Sequence, residues 1–159
     1  DPHTRVLVEI SMDEKVIKPT PLRTVTHGYG ERLDTKVHAY TLEEIVAEKL
    51  RAILQHVEML EARGWSRSRA RDYYDLWRIF KTYGEHLTLK GFTQFLHEKC
   101  DVRHVSFQGA GDFFQPTMLA YIEKTWVQWL GPLVPDLPSC ATVIGELRPT
   151  IEDLLLDNL

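Results

Sequence analysis

The stretch TLEEIVAEKLRAILQHVEML (41–60) limits this chain more than any other. Thr41 followed three residues later by Glu44 is a capping box. Behind it, Leu42, Ile45, Val46, Leu50, Ile53, Leu54 and Val57 recur at the spacing of one helix face. The spacing predicts a helix from Thr41 to about Ala62, stopped by Gly64. A stripe that long must be covered, so the rest of the chain has to supply a core for it.

The same stripe carries Lys49, one turn from Ile45, Val46 and Ile53. An ammonium on an apolar face must snorkel, meet a carboxylate or meet a ligand anion, because burying it unpaired costs several kcal/mol. A structural ion pair is the commoner fate of such a lysine.

Carboxylates for it stand in RARDYYDLW (69–77). This second helix is expected over Arg69–Thr82, with Tyr73, Leu76, Ile79, Phe80 and Tyr83 inward and Gly84 as its stop. Asp72 borders the inward face and Asp75 lies at its edge, so Asp72 is the expected partner of Lys49. Arg71 and Asp75 form an i,i+4 pair, worth about 0.5 kcal/mol if exposed. Acidic residues in a first turn also suit the helix dipole, which accounts for one aspartate better than for two facing inward.

The first forty residues read differently. RVLVEIS (5–11) alternates as a strand, Leu22–Thr26 and Lys36–Tyr40 read as two more, and HGYG (27–30) is a turn. Glu9 lies on the strand face opposite Val6, Val8 and Ile10. It is either a half-exposed strand residue or a metal ligand at a sheet surface. Beyond the second helix, further helices are expected from Thr88, after Pro116 and over the acidic end, the last interrupted or restarted at Pro149. The expected fold is α+β: a short layer of about three strands packed on a bundle of about five helices. Its parts are a β-rich segment 1–40, a helical segment 41–131, and a Pro-rich connector with an acidic helix at 132–159.

Composition narrows the function classes. At 159 residues, with 43% hydrophobic and 26% charged residues, the chain can bury a sizeable core without metal or disulfide. A net charge of −4 argues against coating nucleic acid by bulk charge, yet six basic residues from Arg63 to Lys81 face only Asp72 and Asp75. Two cysteines, Cys100 and Cys140, with no signal peptide ahead of them, point to a reduced cytoplasmic setting and no membrane association. HGYG lacks the residues of a phosphate loop, and His97, Cys100 and His104 lack a fourth ligand for zinc. No serine stands in a nucleophile context.

Glu48-Lys49-Leu50-Arg51-Ala52, followed by Arg71-Asp72-Tyr73-Tyr74-Asp75-Leu76, resembles the toxin component of AbiE-type toxin–antitoxin systems, the AbiEii/AbiGii-like nucleotidyltransferases. The resemblance implies transfer of a nucleotide from an NTP to an acceptor hydroxyl, with Mg2+ held by a G[GS]…DxD pair and a third strand carboxylate. In some relatives the acceptor is tRNA, and a cognate antitoxin is an implied partner. Lys49 would contact the triphosphate and Arg71 the nucleotide. Asp72 or Asp75 would fix Lys49, assist metal or base chemistry, or hold the helices together, and Glu9 would match the third metal carboxylate. No G[GS]…DxD stands in these 159 residues, so the chain is expected to be the C-terminal portion of such an enzyme and inactive alone. The alternative is a non-catalytic interaction or regulatory domain, in which Lys49 and the aspartates form a structural network.

Overall fold

A computed structural model describes residues 15–26, 35–64 and 67–156. Among them, two short antiparallel strands, β1 (Leu22–Thr24) and β2 (Lys36–His38), precede five helices. These are α1 (Leu42–Arg63), α2 (Ala70–Tyr83), α3 (Phe92–Asp101), α4 (Pro116–Leu130) and α5 (Cys140–Leu156). The chain is thus mostly helical with a short sheet near its N-terminus. The expected strand 5–11, with Glu9, and the HGYG turn lie outside the described residues.

The sheet is not a packed layer. All six strand residues are exposed, and Leu22 and Val37 are among the exposed large apolar side chains. With three residues a strand and no covered face, such a ribbon draws little stability from burial.

Helix α1 is central, packing on α2, α3 and α4. Val46, Ala47, Leu50, Ile53, Leu54 and Val57 are buried along it, so apolar residues face more than one neighbour. Thr41 caps its start by accepting the Glu44 N–H at 3.2 Å. The other half of the expected capping box is not made, because the Glu44 carboxylate turns instead to Ile17, Lys18 and Lys99. Gly64 ends α1 in the left-handed conformation (φ 72°), its N–H bonded to Leu60 O at 2.8 Å. A Cβ there meets no neighbour but opposes that backbone twist. Gly64→Ala should therefore lower stability by about 1 kcal/mol, read as a shifted urea midpoint.

Two expected boundaries moved. α3 begins at Phe92 rather than Thr88, because Gly91 takes φ 73° and Leu89–Phe92 close a turn first; the Thr88 N–H is bound by Glu43 instead. α5 runs unbroken through Pro149, although proline inside a helix costs about 3 kcal/mol. Pro149 and Gly145, whose carbonyl loses its donor, are both exposed, so water can take the donor's place. On the opposite side Val143, Leu147, Ile151, Leu154 and Leu155 are buried, and that burial holds the helix together. Tyr73, fully buried on α2, donates its hydroxyl to Phe113 O, and burial raises its pKa far above the ordinary tyrosine value.

Candidate functional site

Lys49 and the two aspartates come together across the α1–α2 junction. Lys49 Nζ donates to Asp75 Oδ2 at 2.6 Å and to Asp72 Oδ1 at 3.1 Å. Both contacts follow from spacing: Asp72 and Asp75 are three apart on α2, so their carboxylates stand one above the other toward α1. The expected division of labour is corrected here. Asp75 gives Lys49 the shorter bond, and Arg71 instead places its guanidinium 5.3 Å from the Trp129 ring centroid. A cation over an indole face competes well with an exposed i,i+4 pair.

Two residues that the sequence reading passed over complete the junction. Arg69 Nη1 donates to Asp72 Oδ2 at 3.0 Å, so Asp72 bridges two cations. Arg69 also lies against His56, which stands seven residues after Lys49 on the same side of α1. His56 Nδ1 is 2.9 Å from Ala52 O, and Arg69 Nη2 is 2.6 Å from Nε2. Arg69 Nη2 is also 2.7 Å from Nδ1; a guanidinium only donates, so the ring nitrogen that accepts from it carries no proton and the ring is neutral. The i+7 position of His56 and the i−3 position of Arg69 relative to Asp72 were the available signals.

Burial disfavours the Lys49 ammonium, but the Asp75 hydrogen bond and the charges of Asp72 and Asp75 outweigh it and raise its pKa. Lys49 is therefore a fixed cation near neutral pH. Burial, followed by the charge of Arg69, lowers the pKa of His56 below its ordinary 6.5. The unfolded chain thus takes up a proton first on acidification. Stability tied to this residue is fully present above pH 6.5 and is lost as pH falls through the folded value. In urea unfolding, His56→Gln should flatten the decline that the wild type shows as pH falls below 6.5.

The junction opens onto a cleft of about 280 Å³ between α1 and the last turns of α2. Ile45, Ile79 and Tyr83 form apolar walls, and Lys49, Asp75 and Arg78 supply charge. Side-chain exposure is 21% for Lys49 and 46% for Asp75, so the pair is neither sealed nor free. A larger cavity of about 800 Å³ lies between α2 and α5, where Trp77 and Lys81 both bond the Glu146 carboxylate, at 2.8 and 3.1 Å.

Other candidates take structural places. His97 stacks on Phe107 with centroids 4.2 Å apart, and burial pushes the Cys100 thiol up to about 12. Trp126 is buried with its indole N–H on Pro138 O, whereas Trp129 stays partly exposed. Among the described residues, no group of three or more His, Cys, Asp and Glu is arranged to hold a metal ion. No helix among them is long and apolar enough to cross a membrane.

A family model described as nucleotidyl transferase AbiEii toxin, type IV TA system, matches residues 1–156. The chain belongs to the AbiEii nucleotidyl transferase toxin family. No curated protein and no solved structure shows a significant match. The family is described as one of nucleotidyl transferase toxins of type IV toxin–antitoxin systems. The two stretches that carried the resemblance, 48–52 and 71–76, supply Lys49 and both of its carboxylate partners at the α1–α2 junction.

Proposed function

We propose that this protein takes part in transfer of a nucleotide from an NTP to an acceptor hydroxyl, with RNA of the tRNA class as acceptor, and that Lys49 meets the triphosphate. The observation that carries this reading is Lys49 itself, a lysine held charged by two aspartates at the edge of a cleft. Its ammonium has three protons, two of which go to Asp75 and Asp72, and the third serves a phosphate oxygen. Nucleotidyl transfer depends on neutralising charge that builds on the phosphate and the leaving group, so a cation already fixed in place lowers the barrier.

Each side chain then has a part. Asp72, with both oxygens on cations, orients Lys49. Asp75 is bonded to Lys49 through Oδ2 and is half exposed, which suits it to orient Lys49 at the cleft mouth. Arg63, Arg67, Arg71 and Arg78 are exposed along one stretch and suit an RNA backbone, with Arg71 on the nucleotide or acceptor side; binding should then weaken steeply with salt. Mg2+ does not fit the described residues, since Asp72 and Asp75 are taken up by Lys49 and Arg69. The proposed metal carboxylate, Glu9, lies outside the described residues. A cognate antitoxin completes the proposed set of partners, and the cytoplasm is the proposed setting.

The test uses the full-length protein. Folded protein is incubated with each labelled NTP, magnesium and tRNA. Transfer that disappears in Lys49→Met supports the reading, and no transfer with any of the four nucleotides overturns it. A second reading, a regulatory domain in which Lys49, Asp72, Asp75 and Arg69 are purely structural, is favoured by the charge balance of that quartet, and it predicts transfer unaffected by Lys49→Met.

A further inference from the structure

On the side of α1 that faces α3 lies a second charged cluster, and it is far more deeply buried. Glu44 is 0% and Lys99 2% exposed. Lys99 Nζ donates to Glu44 Oε1 at 2.7 Å and to the backbone carbonyl of Lys15, and it forms an ion pair with Glu48. The Glu44 carboxylate in turn accepts the backbone N–H groups of Ile17 at 3.2 Å and Lys18 at 3.0 Å. Two side chains, on α1 and α3, thus bind three backbone groups of one segment, at Lys15, Ile17 and Lys18.

A buried ion pair is seldom the most stable filling of its volume, since apolar side chains of similar size avoid the desolvation of two charges. It does supply direction. Only a carboxylate at Glu44 can hold both the Ile17 and Lys18 amides, and only a donor at Lys99 can take the Lys15 carbonyl, so the pair specifies one register of the arm. Supporting contacts agree: Lys18 Nζ sits 5.0 Å from the Phe95 ring centroid on α3, and Ile17 packs against the core. Glu48, the neighbour of Lys49 in sequence, ties this cluster to Arg51 at 2.7 Å. The charged face Glu44–Glu48–Arg51 and the site face Lys49–His56 are therefore two sides of one helix, and what holds the first sets the rotation of the second.

We infer that Glu44 and Lys99 form a latch of positioning residues, which holds residues 15–18 in fixed register on α1 and so fixes the rotation of α1 that presents Lys49. The functional half of this inference rests on the proposed role of Lys49. The latch touches neither nucleotide nor reacting atoms. Its loss should lower turnover and leave nucleotide affinity alone.

The test is Glu44→Leu/Lys99→Met in the full-length protein, which removes both charges together and keeps the volume filled. Hydrogen exchange should quicken by about tenfold or more at the amides of Ile17 and Lys18, while the amides of Val46–Val57 stay protected as in the wild type. In the transfer assay kcat should fall about tenfold or more, with KM for the NTP within about twofold. Unchanged exchange at Ile17 and Lys18 overturns the latch. Freed amides with an unchanged kcat, or a loss that appears only in KM, overturn the positioning role. Exchange reads the latch whether or not the wild type transfers nucleotide, so a silent wild type overturns the proposed function and with it the positioning role, but not the latch.

Discussion

Lys49→Met should reduce nucleotide transfer by about 10²–10³-fold, the range seen when a single fixed donor to a developing oxyanion is removed. Stability should fall by only about 1 kcal/mol in the same variant. The two expectations separate because of what Lys49 leaves behind. Asp72 keeps Arg69 at 3.0 Å, and Asp75 is 46% exposed, so neither carboxylate is stranded without counter-charge or water. Activity measured beside a urea melt therefore distinguishes a catalytic cation from a structural one. A stability loss of several kcal/mol with transfer intact would assign the quartet to structure. Lys49→Arg is not a neutral control, since a planar fork does not fit two stacked carboxylates as a compact ammonium does.

The largest stability effect should come from Lys99→Met. Removing that ammonium strands Glu44, which is fully buried, and breaking a buried pair from one side typically costs about 3–5 kcal/mol. Glu48 suffers less, because Arg51 still binds it at 2.7 and 3.0 Å. Glu44→Leu/Lys99→Met should be more stable than Lys99→Met alone, since the second substitution removes the stranded charge; a double variant no better than the single would show that the two do not act as a pair. The pH dependence carries a matching sign. Burial disfavours the Lys99 ammonium, but Glu44 and Glu48 outweigh it and raise its pKa above 10.5. Its stability contribution is fully present below pH 10.5 and is lost as pH rises through the folded value. At the acid end, burial opposes the Glu48 carboxylate but Lys99 and Arg51 lower its pKa below 4.5, so its contribution is lost only on further acidification.

Much of the helical order was legible along the chain. Thr41, Gly64, Pro116 and Gly84 mark the ends of α1, α4 and α2 by local chemistry, and the apolar stripes between them repeat at helix spacing. The pairing of Lys49 with Asp72 was legible too, because an ammonium on an apolar stripe needs a carboxylate and the next helix had one on its inward edge. Arg71 was misread, since a single sequence shows that Asp75 is four residues away but not that Trp129 offers its ring from another helix.

What the sequence by itself determined were the features set by neighbours within a turn or two: where helices start and stop, which faces are apolar, and that Lys49 would be a charged residue in need of company. Tertiary structure decided which groups provide that company. Glu44 was legible only as a cap, yet a carboxylate in reach of the backbone N–H groups of Ile17 and Lys18 and the ammonium of Lys99 is drawn to them and away from its own helix end. Pro149 read as a break, yet five buried side chains on the far side of α5 outweigh one lost hydrogen bond on an exposed face. In both cases a local preference worth about 1–3 kcal/mol met partners far away in sequence, and the sum of burial and charge pairing prevailed.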